Sequence, residues 1–153
     1  MNAKILVGIF VIFFLLGALT MVEARSLRNN NPGNIRFDPN NQWLGQVGVD
    51  PDGFVIFSSP YYGFRALSLI WLHYQTRDGL TTLTQMGNRY APGTPGGYGK
   101  GLGEQLGVDP NAPFNVEQNL PALLRAIAVN EEGAAGRLFS SSDIQAGVKA
   151  TLA

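Results

Sequence analysis

The feature that most constrains this chain is a polar run at residues 28–37, in which three asparagines and a Pro-Gly pair precede a short alternating segment. Asparagine side chains bond to nearby backbone and tolerate left-handed conformations, and Pro-Gly suits the centre of a type II turn. The run therefore predicts a rigid polar turn with positive φ at Gly33, followed by a short strand over residues 34–37. Such a turn is either a well-capped connection or a surface that presents amide groups to a sugar or peptide.

Size and composition restrict the classes of function. The 153 residues suit one domain with one modest core, and the formal net charge of zero gives no reason to expect nucleic acid as a partner. The chain has no cysteine and one histidine, His73, which excludes disulfides, thiolate nucleophiles and multi-histidine zinc sites. We expect no metal and no cofactor, and any hydrolytic chemistry should rest on carboxylates.

The first 24 residues have no globular pattern, because an uncharged apolar run fills residues 5–22. The segment is either a signal peptide cleaved after Ala24 or a transmembrane anchor. An ~18-residue run is short for a membrane span but long for the apolar core of a signal peptide. The length favours the anchor, so we expect membrane attachment through residues 5–22, with export to the periplasm after cleavage near Ala24 as the alternative.

The remaining residues predict an α+β fold that is mostly α. Residues 43–49 and 54–57 flank an Asp-Pro-Asp-Gly turn, and with residues 34–37 they predict three short antiparallel strands. Capping residues and apolar spacing predict five helices. These are residues 60–76, a helix capped by Thr81 or Thr82 that ends near Arg89, and a weak helix beginning near Tyr98. Two more follow: residues 120–132, capped by Asn119 with Pro121 in the first turn, and residues 143–152.

Two further segments offer candidate ligand contacts. Residues 91–103 are rich in glycine and contain two prolines, so they form either a flexible loop or a mobile wall of a substrate groove that includes Tyr98. Trp43 follows the polar turn closely. It is either a core aromatic or a minor contact to a ligand.

Glu131 is the acidic residue that the helical spacing places best against apolar neighbours. Leu120, Leu123, Leu124 and Ile127 form an apolar stripe, which Glu131 extends to the end of its helix. Apolar surroundings raise the pKa of a glutamic acid, and glycoside cleavage needs a carboxylic acid that is protonated near neutral pH. Glu131 is thus either a half-exposed helix-end residue or a general acid. Glu132 is predicted to turn away toward Arg125 and solvent.

The polar run resembles the Asn-Asn-Pro-Gly-Asn-Ile-Arg signature of phage and prophage virion-associated proteins that are thought to act on peptidoglycan. The resemblance continues to the C-terminus through motifs that occur in the same order. They include Trp43-x-Gly45, Gly53-Phe54-x-x-Phe57, Gly63-Phe64-Arg65-Ala66, Arg89-Tyr90-Ala91-Pro92 and Glu131-x-Gly133. The same series is similar to glucosaminidases of the lysozyme superfamily. It departs from the family at residues 93–98, where Glu-Asn and Thr are usual, and at Asn130, where His is frequent.

The resemblance implies a lysozyme-like domain over residues 25–153 that cleaves glycan strands, as a lytic transglycosylase or as a muramidase or glucosaminidase. Glu131 would be the acid, with Glu132 as second choice, and Asn30, Asn31 and Asn34 would line the groove. Lysozyme-like enzymes carry the catalytic glutamate ahead of the small sheet. Here the sheet comes first, as in a circular permutation. The partners would be peptidoglycan and virion proteins.

The alternative is a membrane-anchored virion structural protein that keeps the fold without catalysis. A third class, a sugar-binding module without turnover, would bind cell walls and release no product. A second carboxylate is not clearly placed by the sequence, and Asp38 and Asp52 are the candidates.

Overall fold

A computed structural model describes residues 23–153, which form an α+β fold dominated by helices, as predicted. The predicted apolar helix over residues 5–22 lies outside this range. Among the described residues no helix is both long and apolar enough to cross a membrane. In chain order the elements are α1 (Arg25–Arg28), β1 (Gln46–Val49), β2 (Val55–Phe57), α2 (Pro60–Thr76), α3 (Leu83–Tyr90), α4 (Gly97–Leu106), α5 (Val116–Glu132), a 3-10 helix (Gly133–Leu138) and α6 (Ser141–Leu152).

The sheet has two strands in the described part of the chain, so the prediction of three was wrong. β1 and β2 pair antiparallel, with Val49 opposite Val55. The predicted third strand is reduced to a single bridge between Arg36 and Phe54. The reason is local. The Oδ1 of Asn31 accepts a hydrogen bond from the backbone N–H of Ile35 at 2.8 Å, and its Nδ2 donates to Ile35 O and Val55 O, both at 2.9 Å. An asparagine side chain thus makes the bonds that a strand neighbour would make.

Three helices begin close to the predicted positions. Ser59 precedes Pro60 at the start of α2, and Thr82 begins α3 with a capping box that includes Gln85. α4 begins at Gly97, directly after Gly96, which has a φ of 72° that favours glycine. The glycine-rich segment is therefore helical from residue 97 onward.

Helix α5 begins one turn earlier than predicted. Asn115, rather than Asn119, caps the helix by accepting the backbone N–H of Gln118. Pro121 consequently lies inside the helix instead of in its first turn. The missing proline N–H costs one helical bond, but burial of the apolar stripe that follows Pro121 holds the helix on the core.

The core surrounds α2, with Phe64, Leu67 and Trp71 fully buried. The predicted stripe of α5 is also fully buried, so the phase of that helix was predicted correctly. α6 packs on α2 where Gly147 lies against Phe64: a Cβ on Gly147 would be 2.8 Å from Phe64 Cβ. These helices form the base on which α1, the polar turn and the end of α5 meet.

Candidate active site

The polar turn is fixed by buried asparagines. Asn29 is buried and donates from Nδ2 to Asp50 Oδ2 at 2.8 Å, while the fully buried Asn31 makes the bonds to residues 35 and 55. Asn34 N donates to Asn31 O at 3.0 Å, which closes a four-residue turn with Pro32 and Gly33 at its centre. The predicted polar turn is present, and asparagine side chains bond it to the neighbouring backbone.

The conformation of Gly33 was predicted wrongly. Positive φ occurs at Asn30 (52°) and Asn34 (46°), and Gly33 is not among the positive-φ residues. A type II turn needs positive φ at its third residue, so this turn is of a different type. Close packing is what requires glycine here, because a Cβ on Gly33 would lie 2.6 Å from Cδ1 of Leu67.

Asn34 joins the turn to the end of α5. Its Nδ2 donates to Oε2 of Glu131 at 3.2 Å and to Oε1 of Glu132 at 2.9 Å. The Oδ1 of Asn34 is buried and has no hydrogen-bond partner within residues 23–153. One amide group therefore holds both carboxylates of the pair, although nearly a hundred residues separate it from them in sequence.

Glu131 is also held from the side of α4. The hydroxyl of Tyr98 donates to Oε1 of Glu131 at 2.6 Å. Tyr98 is 8% exposed and stacks on Trp71, with Tyr90 on another side. Burial raises the pKa of Tyr98 well above its ordinary value, and the nearby Tyr90 and Glu131 raise it further. Tyr98 therefore remains a protonated donor at neutral pH.

The environment of Glu131 favours its neutral form. Burial raises the pKa of this carboxyl above its ordinary value, and the charge of Glu132 acts in the same direction. The bonds from Tyr98 and Asn34 lower it, but they do not cancel the effect of burial. The pKa of Glu131 is therefore shifted in the direction that the sequence predicted for this residue.

Glu132 does not point toward Arg125 and solvent, so that prediction was wrong. Its Oε1 accepts the backbone N–H of Ser26 at 3.2 Å in addition to the Asn34 amide. Arg125 instead donates to the backbone oxygen of Gly136. Helix α1 covers the end of α5, and periodicity within α5 contains no information about this distant segment.

An open cavity of about 860 Å³ lies in front of the acidic pair. Asn34, Tyr90, Glu131 and Glu132 line it together with three arginines. The remaining lining residues come from residues 23 and 24, the polar turn, the hairpin turn, α2 and the end of α3; they include Asp52, Phe54, Ile70 and Tyr74. A cavity of this volume is within the range of small-molecule sites.

The other predicted site residues lie elsewhere. Asn30 donates to the backbone oxygen of Phe57, and Asn31 is fully buried, so neither lines the cavity and both are structural. Trp43 packs against the core and is also absent from the cavity wall. Tyr98 supports Glu131 from behind and does not line the cavity. Of the predicted ligand contacts, only Asn34 lies at the wall.

Candidates for a second carboxylate are limited. Asp52 lines the cavity but pairs with Arg25 at 3.1 Å, and Asp38 lies outside it. Across the described residues no three histidine, cysteine or acidic side chains come together in a group that could hold a metal ion. The acidic groups at the wall are thus the Glu131–Glu132 pair, Asp52 and the exposed Glu23, beside the Asn34 amide and three arginines.

The fold and the site define a small α+β protein with a partly buried acidic pair at a polar cavity. The sequence is 33% identical over 116 residues to Protein P5 of Pseudoalteromonas phage PM2, an alignment that covers 72% of each chain. The chain therefore belongs to the family of this phage protein. No family model matches the sequence.

Proposed function

We propose that this protein cleaves the glycan strands of peptidoglycan as a lytic transglycosylase, with Glu131 as the general acid. One observation carries the proposal: a carboxyl with a raised pKa lies at the wall of a polar cavity, held by Tyr98 at 2.6 Å. The resemblance of the polar run to virion-associated proteins that act on peptidoglycan supports the choice of substrate.

In this proposal Glu131 donates its proton to the glycosidic oxygen as the bond from that oxygen to C1 of the sugar breaks. It then accepts the proton of the C6 hydroxyl of the same sugar, whose oxygen attacks C1 and closes the anhydro ring. Tyr98 and Asn34 fix the direction of the carboxyl, since each donates to a different oxygen of it. Tyr98 is thereby a positioning residue rather than a ligand contact. Glu132 raises the pKa of Glu131 through its charge.

The position of the second carboxylate favours a transglycosylase over a hydrolase. Two-carboxylate glycosidases place their acids on either side of the scissile bond. Glu131 and Glu132 bond to the same Asn34 amide and therefore lie on one side of the cavity. Of the other carboxylates at the wall, Asp52 is engaged by Arg25, and Glu23 is exposed. A reaction that needs one acid fits this arrangement better than one that needs two.

We propose further that the fold is that of a lysozyme-like domain whose segments follow one another in a circularly permuted order. In its support, the helix that carries Glu131 follows the hairpin in sequence, yet it ends beside Asn34, which precedes the hairpin. A crystal structure with a chitooligosaccharide would test this. Glycan bound along the cavity between Asn34 and the end of α5 is expected, and glycan bound elsewhere would contradict it.

We further propose that residues 5–22 hold the protein in a membrane, in the virion or in the bacterial envelope, with virion proteins as neighbours. The phage relative supports a phage origin. Fractionation of the full-length chain tests the location: the membrane fraction is expected, whereas a soluble protein with an intact N-terminus would contradict it.

Purified peptidoglycan and the full-length protein test the activity. Soluble muropeptides with anhydro ends are expected from a transglycosylase, whereas reducing ends would indicate a hydrolase. The alternative, a virion structural protein without catalysis, predicts no product from a folded sample. Cell-wall binding without product would indicate a sugar-binding module.

A further inference from the structure

Arg36 lies on the same side of its segment as Asn34. Ile35 between them is 6% exposed and packs into the core, whereas Asn34 is half-buried and Arg36 is exposed. All three residues contribute to the cavity wall. Two residues span at most about 7 Å of backbone. The backbones of Asn34 and Arg36 therefore lie close together, and the Arg36 side chain lines the same cavity as the acidic pair.

The Arg36 side chain is held in place without being neutralised. Its guanidinium carbon lies 4.4 Å from the centroid of the Phe54 ring, and Nη1 donates to Asp52 O at 3.4 Å. No carboxylate oxygen comes within 4 Å of its nitrogens in the described range of residues 23–153. The side chain is exposed, so most of its donors are available to a ligand.

The two neighbouring arginines differ from Arg36 in this respect. Arg25 Nη2 pairs with Asp52 at 3.1 Å, and Arg28 Nη2 lies 3.7 Å from the buried Asp50. Both arginines are thus paired with carboxylates of the protein itself. These ion pairs hold the hairpin turn on α1. Arg36 is accordingly the cation at this wall that a bound anion would meet.

We propose that Arg36 forms a subsite for a carboxylate carried by the glycan, on a sugar next to the one that Glu131 protonates. This inference rests on the proposed function. The planar fork of a guanidinium matches a carboxylate in two parallel bonds, and stacking on Phe54 orients the fork. In peptidoglycan the carboxylate comes either from the lactyl ether of muramic acid or from the peptide attached to it. Chitin has neither, so the subsite selects against chitin-like strands.

Binding measured by calorimetry tests the subsite. All samples carry Glu131→Gln, so that the ligands stay intact, and three tetrasaccharides are compared: chitotetraose, a peptide-free muramyl tetrasaccharide, and the same glycan with its peptides. We expect at least one muramyl ligand to bind about tenfold more tightly than chitotetraose, as for a charge-assisted bidentate contact. If the peptide-free muramyl tetrasaccharide is preferred, Arg36 binds the lactyl carboxylate. If only the glycan with its peptides is preferred, Arg36 binds a carboxylate of the peptide.

Variants then assign the preference to Arg36. Arg36→Gln should reduce the preference for the muramyl ligand to less than about twofold, while the affinity for chitotetraose is unchanged. Arg36→Lys keeps the charge but loses the planar fork, so it should retain part of the preference. Arg77→Gln removes an exposed arginine outside the cavity and should retain all of it. The subsite is overturned if no muramyl ligand is preferred, if Arg36→Gln keeps the preference, or if that variant weakens all three ligands equally.

The two proposals fail separately. A preference that depends on Arg36, together with a wild-type protein that releases no product from peptidoglycan, would retain the subsite and overturn the catalytic proposal. Product release by a protein that does not distinguish muramyl from chitin ligands would retain catalysis and overturn the subsite.

Discussion

The hydroxyl of Tyr98 lies 2.6 Å from Oε1 of Glu131, although 33 positions separate the two residues in sequence. Tyr98 is buried among aromatic rings and its pKa is raised well above the ordinary value, so the hydroxyl keeps its proton and donates. The bond stabilises the ionised carboxylate and lowers the pKa of Glu131 against the effect of burial. Tyr98 thereby lowers the pH at which the proposed acid loses its proton.

Tyr98→Phe should therefore raise the pKa of Glu131 further. The alkaline limb of the pH–rate profile reports loss of the acid's proton, so it should move to higher pH in this variant. Loss of one hydrogen bond should cost about 1 kcal/mol of unfolding free energy. The measurement is kcat/KM as a function of pH. The control is Tyr61→Phe, in the first turn of α2. An unchanged alkaline limb would show that Tyr98 does not act on Glu131.

Asn34→Asp should destabilise the junction between the turn and α5. Aspartate keeps the shape and tolerates the φ of 46°, but it replaces the donor to Glu131 and Glu132 with a third acidic group. At neutral pH we expect the free energy of unfolding, measured with urea, to fall by about 1–3 kcal/mol. The difference from wild type should shrink as the pH falls and the carboxylates become protonated. The exposed Asn41→Asp serves as control. A loss that does not depend on pH would argue against the shared amide.

Gly33→Ala should destabilise the protein through contact with Leu67, since the new Cβ would lie 2.6 Å from Cδ1 of that side chain. Overpacking of this kind costs about 1–3 kcal/mol. Gly93→Ala is a matched control, because a Cβ there meets nothing within 4 Å. Equal unfolding free energies for the two variants would contradict the packing of the turn on α2.

Asp50 should make folding sensitive to acid. Backbone bonds from residues 52 and 54, the Asn29 amide and the charge of Arg25 lower the pKa of this carboxyl from its ordinary value of 3.8, although burial opposes them. A carboxyl whose pKa is lower in the folded chain than in the unfolded chain stabilises the protein fully above its unfolded pKa. This contribution is lost as the pH falls through its folded pKa. Asp50→Asn should therefore be less stable than wild type at neutral pH, by a margin that narrows below about pH 3.8.

The control for Asp50 is Glu104→Gln, an exposed residue that pairs with Lys100. It should follow the wild-type curve of unfolding free energy against pH. A constant difference between Asp50→Asn and wild type down to the lowest pH would show that Asp50 titrates alike in the folded and unfolded chain.

The sequence predicted those parts of the fold that depend on local periodicity and caps. The buried stripe of α5, a threonine cap at the start of α3 and the polar turn were all predictable, because neighbouring residues determine them. The third strand was mispredicted because the side chain of Asn31 replaced a strand partner. The α5 cap was placed one turn late because Pro121 was taken to mark the first turn.

The site was predicted less completely than the fold. Glu131 and Asn34 were identified, yet the contact between Asn34 and Glu132 depends on how α1 covers α5, which no local pattern describes. Asn30 and Asn31 were assigned to a ligand because polarity alone does not distinguish a buried amide from an exposed one. Arg36 was missed, although its spacing of two from Asn34 around the apolar Ile35 was visible in the sequence.

The charge of Glu132 should tune the acid without replacing it. Glu132→Gln removes a negative charge that raises the pKa of Glu131, so the alkaline limb of the pH–rate profile should move to lower pH while the maximal rate stays within about tenfold of wild type. A complete loss of turnover in this variant, with Glu131→Gln active, would transfer the acid role to Glu132.

The most direct test of the central claim is the rate at which Glu131→Gln releases soluble muropeptides from purified peptidoglycan, at a melting temperature matched to wild type. Glutamine keeps the shape of Glu131 and can still contact Tyr98 and Asn34, but it has no proton to give. Removal of a general acid costs on the order of 100-fold or more in rate, and this loss is what we predict. Turnover by Glu131→Gln at the wild-type rate would contradict the assignment of Glu131 as the acid.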